Sequence, residues 1–197
     1  MYNRAAGGLI MSPPKPHVRI TVAEYLESEK NGTVRHEYLD GEVYAMSGAS
    51  KRHNLISNNL NVQLRTHLRG GACQVFIVDV KVFIEALNFF YYPDIVVACD
   101  PEDDDDYFVR RPVLVVEGES PSTTAIDRRE KLMAYRKVES LREYLLLAQD
   151  SISAILFRRD EKDNWWSEQL GCVDELRLES VGFTLPLKAL YEGIELP

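Results

Sequence analysis

The chain has 197 residues, 45% apolar and 27% charged, with a formal net charge of −8. That length suits one domain with a substantial core, and the composition excludes a disordered, collagen-like or repeat protein. The acidic balance argues against a broad surface that coats nucleic acid, because phosphate contacts need clustered Lys and Arg, but it leaves room for a local groove.

Residues 1–16 read as a flexible leader, too proline-rich and too short in apolar residues for a signal peptide. With no export signal and no apolar run near the ~18–20 residues that span a bilayer, the expectation is a cytoplasmic protein. Residues 17–197 read as a single domain. Thr21 and Glu24 form a capping box for the helix TVAEYLESEK, which stops at Asn31-Gly32. TVRHEYLDGEVYAMSG follows, with Asp40-Gly41 between two alternating runs, the strongest hairpin signal in the chain. Ser50 opens a long helix whose apolar face is Leu55, Ile56, Leu60, Leu64 and Leu68, closed by Gly70-Gly71.

Strands then read from CQVFIVD with VKVFIEA, from YYPDIVVACD and from PVLVVEGE. The acidic run Asp100 to Asp106 separates the last two as a solvated loop. Ser122 or Thr123 caps the helix STTAIDRREKLMAYRKVES. REYLLLAQD, SISAILFRRD, WWSEQL and VDELRLES follow as strands, and PLKALYEG as a short final helix. The order gives an α/β (α+β) fold with a mixed sheet flanked by helices. Cys73, Cys99 and Cys172 are odd in number, far apart and without a CxxC pair, which predicts buried free thiols.

Three charged positions interrupt apolar elements in an ordered way. Asp94 follows Pro93 at the start of IVVA, Glu117 ends VLVV, and Lys131 lies on the next helix. Two carboxylates from neighbouring strand ends can hold a hard divalent cation through oxygen ligands. The cation acidifies water and clamps a phosphodiester oxygen, while a nearby lysine orients or deprotonates the water and offsets transition-state charge. Asp127, Lys131 and Tyr135, spaced by four, share one helix face, and Asp127–Lys131 is in the favourable order for an ion pair.

Pro93-Asp94, the strand ending in Glu117, then SPST at 120–123 with Asp127, Lys131 and Tyr135, resemble the Uma2 family. This family, also labelled DUF820, is grouped with restriction endonucleases in the PD-(D/E)XK nuclease superfamily. HEYLDGEVYAM at 36–46, His53-Asn54 and SLREYLL at 140–146 extend the likeness over about residues 20–190. The resemblance implies a restriction-endonuclease-like core, Mg²⁺ or Mn²⁺ as cofactor held by Asp94 and Glu117, and DNA as substrate. It also implies a Lys two positions after the Glu; Glu119 stands there, so Lys131 is the expected substitute. Glu42, matching a family acidic position, and His53, as a proton carrier or phosphate contact, join Asp127 and Tyr135 as candidate supporting residues. A double-strand cut would favour a homodimer.

Some features have competing readings. Asp79-Val80-Lys81 is a literal D-x-K, but it precedes the Pro-Asp pair and reads as a strand-end pair. Trp165 and Trp166 face opposite ways on a strand, so at most one joins any surface that stacks bases. Arg128, Arg129, Arg136 and Lys137 are either phosphate contacts or a solvated helix surface. Glu119 either shares a face with Glu117 or is turned away by SPST. Non-catalytic binding, or hydrolysis of a small phosphate ester, is the alternative function.

Overall fold

The computed structural model describes residues 19–119 and 125–197, and of residues 125–127 the backbone alone. The expected leader and the caps Ser122 and Thr123 lie outside these residues. α1 (Val22–Asn31) opens with the expected capping box: the Thr21 hydroxyl accepts from the Glu24 N–H and the Glu24 carboxylate accepts from the Thr21 N–H. β1 (His36–Leu39) and β2 (Glu42–Ala45) form the hairpin. Asp40 and Gly41, at φ 47° and 100°, supply the left-handed backbone that a two-residue turn of this hand requires. α2 (Lys51–His67) buries Ile56, Leu60 and Leu64 at helical spacing.

β3 (Gln74–Ile77) and β4 (Lys81–Ile84) are separated at Val78 and Asp79, both with positive φ, and join different sheets. The next run also divides, into β5 (Phe89–Tyr91) and β6 (Ile95–Ala98), on either side of Pro93-Asp94. β7 (Phe108–Val109) and β8 (Pro112–Glu119) lead to α3 (Ala125–Tyr135). β9 (Glu143–Ala148), β10 (Ala154–Arg159) and β11 (Trp165–Leu170) follow, then β12 (Glu175–Leu178) and β13 (Phe183–Pro186). The final helix predicted from PLKALYEG is a 3-10 turn, Leu187–Tyr191.

The described strands form two large mixed sheets and a small hairpin. Their orders are β2-β1-β5-β4-β7, β11-β10-β9-β8-β6-β3 and β12-β13. β8 and β9 run parallel, as a helical crossover demands, and β4 with β7 is the other parallel pair. Alternation on β8 decides what its end can do. Leu114 and Val116 face the core shared with α2, and Val115 faces the core shared with α3 and the first sheet. By the same period Gly118 lies on the α2 side, and Glu117 and Glu119 on the α3 side. α1 closes the first sheet through a cluster of Tyr25, Tyr38, Phe90 and Phe108.

The cysteine expectation is corrected. β3 pairs antiparallel with β6, Gln74 opposite Ala98, which sets Cys73 and Cys99 facing one another one step further on. They form a disulfide, with 3.9 Å between Cα atoms. β4 and β5 lie between these strands in the chain, so spacing in the sequence did not reveal the pairing. Cys172 is free, as expected, but exposed instead of buried.

Candidate active site

The antiparallel register places Ile95 opposite Val116, so Asp94 and Glu117 stand at adjoining strand ends. They meet in a cleft of about 910 Å³ lined also by β1, the start of α2 and α3. Ser50 starts α2 by accepting the His53 N–H, and its hydroxyl donates to Gln149, whose amide donates to the Glu119 carbonyl. The start of α2 is thereby tied to the end of β8. His53 Nε2 lies 2.7 Å from Asp94 Oδ1, and the Gly118 N–H donates to Asp94 Oδ2 at 2.6 Å. Both Asp94 oxygens are therefore held.

On the opposite face of β8, Tyr135 donates to Glu117 Oε1 at 3.0 Å and Lys131 to Glu117 Oε2 at 3.1 Å. Lys131 Nζ also lies 2.8 Å from Glu37 Oε1 and 5.2 Å from the centre of the Tyr91 ring. Burial pushes the Glu117 carboxyl up and Glu37 and Asp94 add to this, while Lys131 opposes it. Burial alone would lower the Lys131 ammonium; Glu117 and Glu37 outweigh it and raise its pKa well above normal, so Lys131 is a cation here. The hydrogen bond to Asp94 raises His53 against an opposing effect of burial. Burial raises the Tyr135 phenol far above its usual value, keeping it a neutral donor.

This geometry can be set beside known proteins. The model of the Uma2 family, described as "Putative restriction endonuclease", matches residues 22–188. The chain belongs to the Uma2 family. It is 36% identical to the uncharacterized protein slr1290 of Synechocystis over 93% of this chain and 97% of that one. A second Synechocystis protein, sll1609, is 33% identical over 66% of this chain and 75% of its own length. A crystal structure of a "putative nuclease belonging to DUF820" from Anabaena variabilis shares the fold, with a TM-score of 0.70 at 14% identity. That match covers 87% of this chain and 97% of the other.

In this Uma2 chain His53 pairs with Asp94, and Lys131 and Tyr135 both bond Glu117; the two groups are linked through Gly118, which follows Glu117 and donates its N–H to Asp94. Glu42 does not join them: it accepts the Tyr44 hydroxyl, and the carboxylate that reaches Lys131 is Glu37. Glu37 lies one position before the buried Tyr38 on β1, and alternation turns it to the cleft. Glu37 stands within HEYLDGEVYAM, where nothing local distinguishes it from Glu42 as the residue that faces the cleft. The Asp127 backbone lies in α3, one turn before Lys131; its side chain lies outside the described residues. Glu119 does share a face with Glu117, and pairs with Arg128 at 2.7 Å. Asp79 lines the same cleft and pairs there with Arg35, while Lys81 is buried over the Tyr92 ring, so the two do not act together as a D-x-K pair. Trp166 is exposed against Arg158 and Trp165 sits beside Arg136, both outside the cleft.

Among the described residues no three His, Cys, Asp or Glu side chains form a ready cation cage. Asp94 and Glu117 offer a two-carboxylate oxygen set, which suits a Mg²⁺ that keeps waters and substrate oxygens in its other positions. Charge supports the fit: Glu117 and Glu37 share the single Lys131 ammonium in a largely buried site, while Asp94 pairs with His53. Among the described residues no helix is long and apolar enough to cross a membrane.

Proposed function

We propose that this Uma2 protein is a metal-dependent endonuclease that hydrolyses DNA phosphodiester bonds. Asp94 and Glu117 would hold Mg²⁺ or Mn²⁺, and Lys131 supplies positive charge beside them. The observation that carries the reading is the meeting of Asp94, Glu117 and Lys131, from three separate elements, in one cleft. A bound divalent cation would supply an acidified water and a clamp on a phosphate oxygen.

The remaining roles follow from the side chains. Asp94 is fixed by the Gly118 N–H and by His53, which holds a proton at Nε2 toward it. Lys131, protonated between two carboxylates, orients attacking water and offsets charge building on the phosphoryl oxygens. It is not the base that takes the proton from that water, because its neighbours keep it charged. Arg52 lines the cleft as a cationic side chain in reach of a bound strand, whereas Arg35, also in the lining, pairs with Asp79 and Arg128 pairs with Glu119.

The test is cleavage of supercoiled plasmid and of single-stranded DNA with Mg²⁺ or Mn²⁺, beside Asp94→Asn and Glu117→Gln. Metal-dependent nicking that both variants abolish supports the reading. DNA binding without cleavage would make the protein a binding module. Turnover of small phosphate esters alone would make it a hydrolase of that class.

A further inference from the structure

Glu117 can offer an oxygen to a cation only if its present partners allow it. Oε1 accepts a hydroxyl from Tyr135, a neutral donor that can stay on a carboxylate bound to a cation. Oε2 accepts the Lys131 ammonium, which an incoming cation repels. Lys131 already has a second acceptor in Glu37, at the shorter distance of 2.8 Å against 3.1 Å. Glu37 belongs to β1 in the other large sheet, so its position does not depend on the end of β8. The Tyr91 ring lies under the ammonium, with the ring centre 5.2 Å away, and offers it a face.

We propose that Lys131 is the resident counter-ion of this site. It neutralises Glu117 while the cation position is empty and withdraws onto Glu37 when a divalent cation binds. Glu37 is then a positioning residue that receives the lysine, not a ligand of the metal. This rests on the reading of Asp94 and Glu117 as the metal carboxylates. It makes cation entry and lysine placement one event, so the ammonium reaches its working position only in the loaded site.

The consequence can be read without any cleavage. Mn²⁺ is titrated calorimetrically into the full chain, without DNA, as wild type, Lys131→Met, Glu37→Gln and the double variant. Removing the competing ammonium tightens Mn²⁺ binding about tenfold, equivalent to ~1.4 kcal/mol. Glu37→Gln weakens binding severalfold, because the lysine then has only Glu117. In the Lys131→Met background the same Glu37 change has almost no effect, since groups that act only through one another are non-additive.

Lys131→Met leaves Glu37 and Glu117 facing one another without a cation. Its melting temperature is therefore expected to fall without metal and to rise more than that of wild type on adding Mn²⁺. Lys131→Gln, which keeps a donor without the charge, repeats the titration if the methionine variant does not fold. Unchanged or weaker Mn²⁺ binding on loss of the lysine charge overturns the proposal. Equal weakening by Glu37→Gln in both backgrounds also overturns it and makes Glu37 a ligand. A wild-type chain that binds no Mn²⁺ removes the metal reading itself, whereas wild-type binding with an unaltered Lys131 variant removes only the counter-ion role.

Discussion

The His53 ring lies so close to Gly118 that a β-carbon there would come within 2.8 Å of its Cε1 and Nδ1. The lack of a side chain at 118 lets the imidazole reach over the end of β8 to Asp94, while the same residue donates its N–H to that carboxylate. Gly118→Ala should push the ring off Asp94, at a stability cost of about 1–3 kcal/mol from overpacking. Cleavage should fall at least about tenfold, to the level of His53→Ala, and the double variant should be no worse than either single one. Additive losses in that cycle would show that the glycine serves something other than the histidine.

Tyr135 separates two contributions. Its ring packs against Tyr91 and Tyr144, with centroids 5.5 and 5.1 Å away, and its hydroxyl serves Glu117. Tyr135→Phe keeps the packing and should cost about 1–3 kcal/mol in urea denaturation, the scale of a hydrogen bond to a carboxylate. Tyr135→Ala should cost about 3–5 kcal/mol through the cavity it leaves. Equal losses from the two substitutions would place all of the residue's contribution in the hydroxyl.

The cross-strand Cys73–Cys99 bond closes a loop with a sequence separation of 26 residues. Constraint of the unfolded chain by a loop of that size is worth about 3 kcal/mol, so Cys99→Ser or reduction should lower stability by roughly that amount. Alkylation of freshly isolated, denatured protein should find one thiol, Cys172. Three thiols would mean that the bond is absent in the cell, as a reducing compartment would dictate.

Much of the site was legible because its strongest signals are local. Pro93-Asp94, the apolar run ending in Glu117 and the lysine on the following helix each stand out within a few residues. What escaped depends on pairing between distant segments. Glu37 reaches Lys131 only because the first sheet folds over the end of β8, and Glu42, in the same hairpin, is taken by its neighbour Tyr44. The break at Val78 and Asp79 sends β3 and β4 to different sheets, and it was hidden because a bulky valine rarely takes a positive φ. The same division sets Cys73 beside Cys99, which no spacing rule anticipates.

Glu29 gives the fold a pH dependence that is separate from the Asp94–Glu117 pair. It is buried on α1, where it accepts the Tyr92 hydroxyl at 2.6 Å, the His36 ring at 3.0 Å and the His36 N–H at 3.3 Å. Burial alone would raise its carboxyl; these donors outweigh burial and hold it below its ordinary value of 4.5. A carboxyl depressed in the folded state contributes stability that is complete above its unfolded value and is lost as pH falls through its folded value. Glu29→Gln should therefore cost about 1–3 kcal/mol at neutral pH, the scale of hydrogen bonds to a charged group. The gap between wild type and variant should narrow below about pH 4.5 and close once the wild-type carboxyl is protonated. Urea denaturation of both proteins from neutral to acid pH measures it. A gap that stays constant to the acid end would assign the loss to packing and not to charge.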